Sequence, residues 1–90
     1  MWKILEKKSV KKVLRKTPKP ILVRYEAWKR IVELGGPDGL RHIRGFRDEA
    51  LTGKWKGFRS SRLNLQWRVI YKVEKNELQV YVFEVNPHEY

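Results

Sequence analysis

The chain contains no cysteine. That removes disulfide staples, thiolate nucleophiles and cysteine-based zinc sites together. Histidine is nearly as scarce: His42 and His88 stand far apart and at no ligand spacing, so no metal centre and no cofactor is expected. No stretch approaches the roughly 20 consecutive apolar residues of a membrane span. The opening Met1-Trp2-Lys3-Ile4-Leu5-Glu6-Lys7-Lys8 also places charges where a secretory leader needs an apolar run. The expectation is a cytoplasmic protein with no membrane partner and no small-molecule cofactor. Acidic residues are few as well: 10 Asp and Glu against 21 Lys and Arg give a formal net charge of +11 and a pI near 10.2. On 90 residues such a field attracts polyanions and makes their binding salt-dependent.

What is present fits one small domain spanning residues 1–90. Its hydrophobic fraction, 41%, is lean, so the core must draw on the four Trp, four Tyr and three Phe. Residues 2–6 alternate as a strand does. Across 7–16, Val10, Val13 and Leu14 recur at helical spacing, with Ser9 as a possible cap, until Pro18 and Pro20 end the helix. Ile21, Tyr25, Trp28 and Val32 step by four, three and four, predicting a second helix with Pro20 in its first turn and Gly35-Gly36 at its end. A loop over 35–45 and a strand or extended segment over 46–51 follow. Segments 58–63, 67–73 and 78–85 then alternate with short connections, which predicts an antiparallel β-meander. The order implies an α+β fold: an N-terminal strand, two helices and the meander, with both helices on one sheet face and the other face open.

Charge is uneven along this plan. Thirteen of the 21 basic residues but only four of the 10 acidic ones precede Phe46. Lys11, Lys12 and Arg15 belong to the densest basic run, a helix face suited either to phosphate contacts on RNA or simply to water. In the second half, Lys54 and Lys56, and on predicted strands Arg59, Arg62 and Arg68, stand among aromatic residues. A sheet can hold several guanidinium groups at fixed separation, as recognition or cleavage of a phosphodiester requires. Trp67, Val69, Tyr71 and Val73 take one face, leaving Arg68, Ile70 and Lys72 on the other. Trp28, Trp67 and Tyr71 read as core, Trp55 as core or a base-stacking platform, and His42 receives no role.

Four fragments together carry a resemblance: Glu49-Ala50-Leu51, Gly57-Phe58-Arg59-Ser60-Ser61-Arg62, Trp67-Arg68-Val69-Ile70-Tyr71 and the ending His88-Glu89-Tyr90. With the element order, they resemble the RelE/ParE superfamily of type II toxins, nearest the RelE, YoeB, YafQ and HigB mRNA interferase branch. The resemblance implies an endoribonuclease that cuts mRNA in the ribosomal A site and is silenced by a cognate acidic antitoxin. It implies acid–base roles for Glu49 and His88, phosphate-holding roles for Arg62 and Arg68, and a final aromatic at Tyr90. Lys54, Lys56 and Arg59 would add phosphate contacts.

RNA can be cut without metal when its own 2′-hydroxyl attacks the neighbouring phosphorus, given a base, an acid and a clamp for the developing charge. Glu49 is the candidate base, His88 the candidate acid, and Tyr90 the residue to stack on a base or orient the hydroxyl. Other readings stay open at this point. Glu49 is also able to pair with an arginine, and Arg68 with Glu84 across strands. A ParE-like toxin inhibiting DNA gyrase by protein contact, or a non-catalytic RNA-binding module, fits the same plan.

Overall fold

The structure, a computed structural model, describes residues 1–87. Its first strand, β1 (Lys3–Glu6), turns Ile4 and Glu6 inward and leaves Lys3 and Leu5 exposed. Helix α1 (Lys8–Leu14) follows directly and buries Val10. Ser9 does not cap it, correcting that expectation: Lys7 occupies the cap position and no side-chain cap bond forms, because Ser9 already lies inside the first turn. Thr17 closes the other end by donating its hydroxyl to the Val13 carbonyl at 2.8 Å.

Pro18 and Pro20 then fit the start of α2 (Lys19–Gly35), where a missing N–H costs nothing. The spacing of Ile21, Tyr25, Trp28 and Val32 places all four on the buried face. Gly36 ends the helix at φ +79°, and a Cβ there would stand 2.6 Å from Trp2 Nε1, so this turn requires glycine on two counts. The segment expected as a plain loop instead forms two 3₁₀ turns, Pro37–His42 and Arg44–Phe46, that bury Leu40 and Phe46.

Four further strands complete the sheet: β2 (Glu49–Ala50), β3 (Arg59–Arg62), β4 (Trp67–Glu74) and β5 (Gln79–Pro87). Their spatial order is β1-β5-β4-β3-β2. β2 to β5 pair antiparallel as the meander predicts, whereas β1 pairs parallel with β5, from Lys3 opposite Gln79 to Glu6 opposite Val82. The sheet is therefore mixed, since the helical crossover returns the chain so that first and last strands run the same way.

A register shift between Ile70 and Tyr71 sets Ile70 against Glu84 but Tyr71 against Val82, so Phe83 is the extra residue of a β-bulge. The bulge lets Val80, Val82 and Val85 all reach the core. Leu78, expected to alternate with them, instead turns at φ 50° and is 48% exposed. Between sheet and α2, Trp28 stacks on Tyr25 (5.8 Å) and meets Tyr71 edge-on (5.2 Å). Tyr25 donates its hydroxyl to Glu6 at 2.6 Å, satisfying the one polar atom its burial would orphan. The outer sheet face is not bare, because Ile70 is fully buried on it.

Candidate active site

Strand register decides which side chains meet. Glu49 lies opposite Ser60, Ser60 opposite Ile70, and Ile70 opposite Glu84. In the next row Arg62 lies opposite Arg68 and Arg68 opposite Asn86. Directly opposed residues share a face, so both rows lie on the side away from α2. There they open into a small cleft of about 70 Å³ lined by Glu49, Ser60, Arg62, Leu65, Gln66, Trp67 and Arg68.

The cleft wall is a rigid turn between β3 and β4. Asn64 accepts the backbone N–H groups of Gln66 (2.8 Å) and Trp67 (2.6 Å), and the Leu63 N–H donates to the Trp67 carbonyl (2.8 Å). Arg62 and Arg68 are thereby held face to face, and like charges in directly opposed positions are destabilising. Arg68 Nε is buried and has no hydrogen-bond partner among the described residues. None of the ion pairs among those residues involves Glu49, Arg62 or Arg68. The alternative pairings, Glu49 with an arginine and Arg68 with Glu84, are thus not formed there; Glu84 instead accepts from Asn86 at 2.5 Å. Two opposed cations and a buried donor with no partner among the described residues make a site that a bound anion would stabilise.

Glu49 owes its direction to the residue before it. The Asp48 side chain is fully buried: Arg59 donates to it from Nε (2.9 Å) and Nη2 (2.8 Å), Ser61 from its hydroxyl (2.7 Å), and Tyr71 through a further hydroxyl bond. With Asp48 pinned inward, strand alternation turns Glu49 outward. The approach is fixed too: Arg24 lies over the Phe46 ring at 4.2 Å, and Arg47 takes the left-handed conformation, φ 43°, that L-residues adopt at a cost. Sequence reasoning missed Asp48. The available signals were its place beside Glu49 in an alternating segment and the need of a core Tyr71 for a hydroxyl partner.

Arg59, expected as a phosphate contact, lies opposite Tyr71 on the helix-side face, away from the cleft. Two of its nitrogens serve Asp48, because residues 59 and 61 share a face that 60 and 62 do not. Burial alone would lower the Arg59 pKa, yet the bond and charge of Asp48 raise it, so the guanidinium stays charged. Burial, reinforced by Asp48, pushes the Tyr71 hydroxyl well above its ordinary pKa of 10.

The other sequence candidates divide. Lys54 and Lys56 are exposed around the turn Gly53–Trp55 that follows β2. Lys11, Lys12 and Arg15 are exposed on or just after α1, which packs against β5. His88 and Tyr90 lie outside the described residues. β5 ends at Pro87 opposite Trp67, a residue of the cleft wall. Among the described residues no group of three or more His, Asp or Glu is placed to hold a metal ion, and no helix is long and apolar enough to cross a membrane.

No family model and no curated protein matches the sequence. Solved structures do match. YafQ from E. coli strain BL21(DE3) superposes with a TM-score of 0.79 at 14% identity, over 98% of this chain and 94% of that one. The archaeal RelE of a RelE–RelB complex from Pyrococcus horikoshii OT3 gives 0.76 at 24% identity, over 96% and 93%. The YoeB–YefM complex from Staphylococcus aureus gives 0.73 at 16% identity, over 99% of each chain. The chain therefore has the RelE-like fold, that of the YafQ, RelE and YoeB toxins.

Proposed function

We propose that this protein is the toxin of a type II toxin–antitoxin module and acts as a metal-independent endoribonuclease on mRNA in the ribosomal A site. The observation that carries the reading is the convergence of Glu49, Arg62 and Arg68 on one cleft, with Arg68 Nε buried and unpaired among the described residues. A protein-binding surface alone has no use for opposed arginines and a carboxylate in a cleft this small.

The chemistry follows from what each group can do. Glu49 takes the proton of the 2′-hydroxyl, whose oxygen bonds to the adjacent phosphorus while the bond from phosphorus to the 5′-oxygen breaks. Arg62 and Arg68 hold the non-bridging oxygens and stabilise the charge that builds on them. His88, from the sequence pattern, gives the leaving oxygen its proton, and Tyr90 orients the nucleotide. The products are a 2′,3′-cyclic phosphate and a 5′-hydroxyl. Lys54 and Lys56 extend the phosphate contacts along the strand. The partner that silences the protein is a small acidic antitoxin, in keeping with the net charge of +11 and with RelB and YefM standing beside the compared RelE and YoeB.

Expression of the wild type, Arg68→Ala and His88→Ala, with mRNA 5′ ends mapped in each, tests this. Wild type should arrest growth and leave cuts in frame with codons, and both variants should do neither while remaining folded. Cuts without codon phase would remove the A site from the account. Variants that still cut would refute the residue roles.

A further inference from the structure

The sheet face that holds the cleft continues past it. Beyond the row of Glu49, Ser60 and Ile70, Lys72 lies opposite Tyr81, and Phe58 precedes Arg59, whose side chain takes the opposite face. Phe83, the residue set apart by the bulge, falls between Tyr81 and Glu84. The rings form a contiguous row: Trp55 to Phe58 at 5.2 Å, Phe58 to Phe83 at 4.7 Å and Phe83 to Tyr81 at 5.0 Å. None of the four belongs to the core, and each is only half-buried. Tyr25, Trp28, Phe46 and Tyr71, by contrast, are fully buried behind the sheet. Cations surround the row: Lys7 Nζ stands 5.4 Å from the Phe83 ring centroid, and Lys54, Lys56 and Lys72 are exposed beside it. On the same face Glu74, hydrogen-bonded by Gln79 at 2.8 Å, marks the far end.

We propose that this row of Trp55, Phe58, Phe83 and Tyr81 is a base-stacking platform for the single-stranded RNA nucleotides flanking the linkage held by Glu49, Arg62 and Arg68. The proposal rests on the nuclease reading for where that linkage sits. Partly exposed rings beside lysines suit a ligand with flat apolar faces and a charged backbone, and single-stranded RNA has both at regular intervals. Arg68 and Lys72 are four residues apart on β4, about 13 Å at ~3.3 Å per residue, so the rings lie within two or three nucleotides' reach of a strand anchored at the cleft. Stacking tolerates any base, because every base has a π face. The platform thus adds affinity and fixes the path of the strand without imposing a sequence.

The test is a fluorescence titration of the full chain with a non-cleavable 2′-O-methyl oligoribonucleotide and with the same oligomer made abasic on the side of the cleft that faces the rings. Wild type should show quenched tryptophan emission with the intact oligomer and lose about 5- to 150-fold in affinity with the abasic one. Tyr81→Leu, which keeps apolar bulk, should lose part of the affinity for the intact oligomer and show a smaller penalty for base removal than wild type, since Trp55, Phe58 and Phe83 remain. The abasic arm needs no variant, so a misfolded mutant does not blunt the test. Equal wild-type affinity for both oligomers overturns the proposal. So does a Tyr81→Leu protein that binds RNA normally but has lost an acidic partner peptide, which would assign the face to protein. Cleavage of a 2′-hydroxyl oligomer on ribosomes is scored separately in wild type and Arg68→Ala. Stacking without cleavage sinks the nuclease reading alone, and cleavage without a base requirement sinks the platform alone.

Discussion

At the scale of single residues, the site is a contest between strand pairing and charge. Arg62 and Arg68 occupy directly opposed positions where almost any neutral pair would stabilise the sheet better. Arg68→Ala should therefore leave thermal stability within about 1 kcal/mol of wild type while lowering cleavage by roughly 10²–10³-fold, as expected for loss of a charge-stabilising donor. A calorimetric scan beside a cleavage assay separates the two effects. Asp48 is the opposite case. Asp48→Asn keeps the shape but withdraws the charge from Arg59, and should cost roughly 1.5–3 kcal/mol by chemical denaturation. The place of Arg68 on the open sheet face was legible from strand alternation, whereas the direction of Glu49 depends on Asp48, which sequence reasoning passed over. Arg59 was misread because one residue of register separates the cleft face from the helix face, and cations clustered in sequence do not share a face.

At the scale of elements, buried tyrosines tie the sheet to pH. Burial first, and then Glu6 and Asp48, raise the Tyr25 and Tyr71 hydroxyls above their ordinary pKa of 10. Above that pH the unfolded chain has released protons that the folded one keeps, so their contribution is complete below about pH 10 and declines as pH rises further. Tyr71→Phe should make stability fall less steeply between pH 9 and 11 by roughly one phenol's share, as urea titrations at each pH will measure. Gly36→Ala should destabilise by about 1–3 kcal/mol, from the left-handed turn and the Trp2 ring together, read as a lowered Tm. The α2 helix was legible because one periodic stripe determines it. The bulge at Phe83, the parallel β1 and the buried 3₁₀ turns were not, because each depends on pairing between segments far apart in the chain.

At the scale of the molecule, the net charge of +11 sets how partners arrive. Association with the proposed acidic antitoxin should slow by at least tenfold between 50 mM and 500 mM salt, while dissociation changes less. Stopped-flow measurement across that range checks it, and a flat salt response would refute charge steering. The central claim is narrower: one cleft on the open sheet face holds a phosphodiester and lets the RNA cut itself. Its most direct measurement is the chemistry of the cut ends left on ribosome-bound mRNA by purified wild type and Arg68→Ala. The account predicts 2′,3′-cyclic or 3′-phosphate ends facing 5′-hydroxyls, with the Arg68→Ala yield reduced at least a hundredfold. Ends bearing 5′-phosphate, or an undiminished variant, would contradict it.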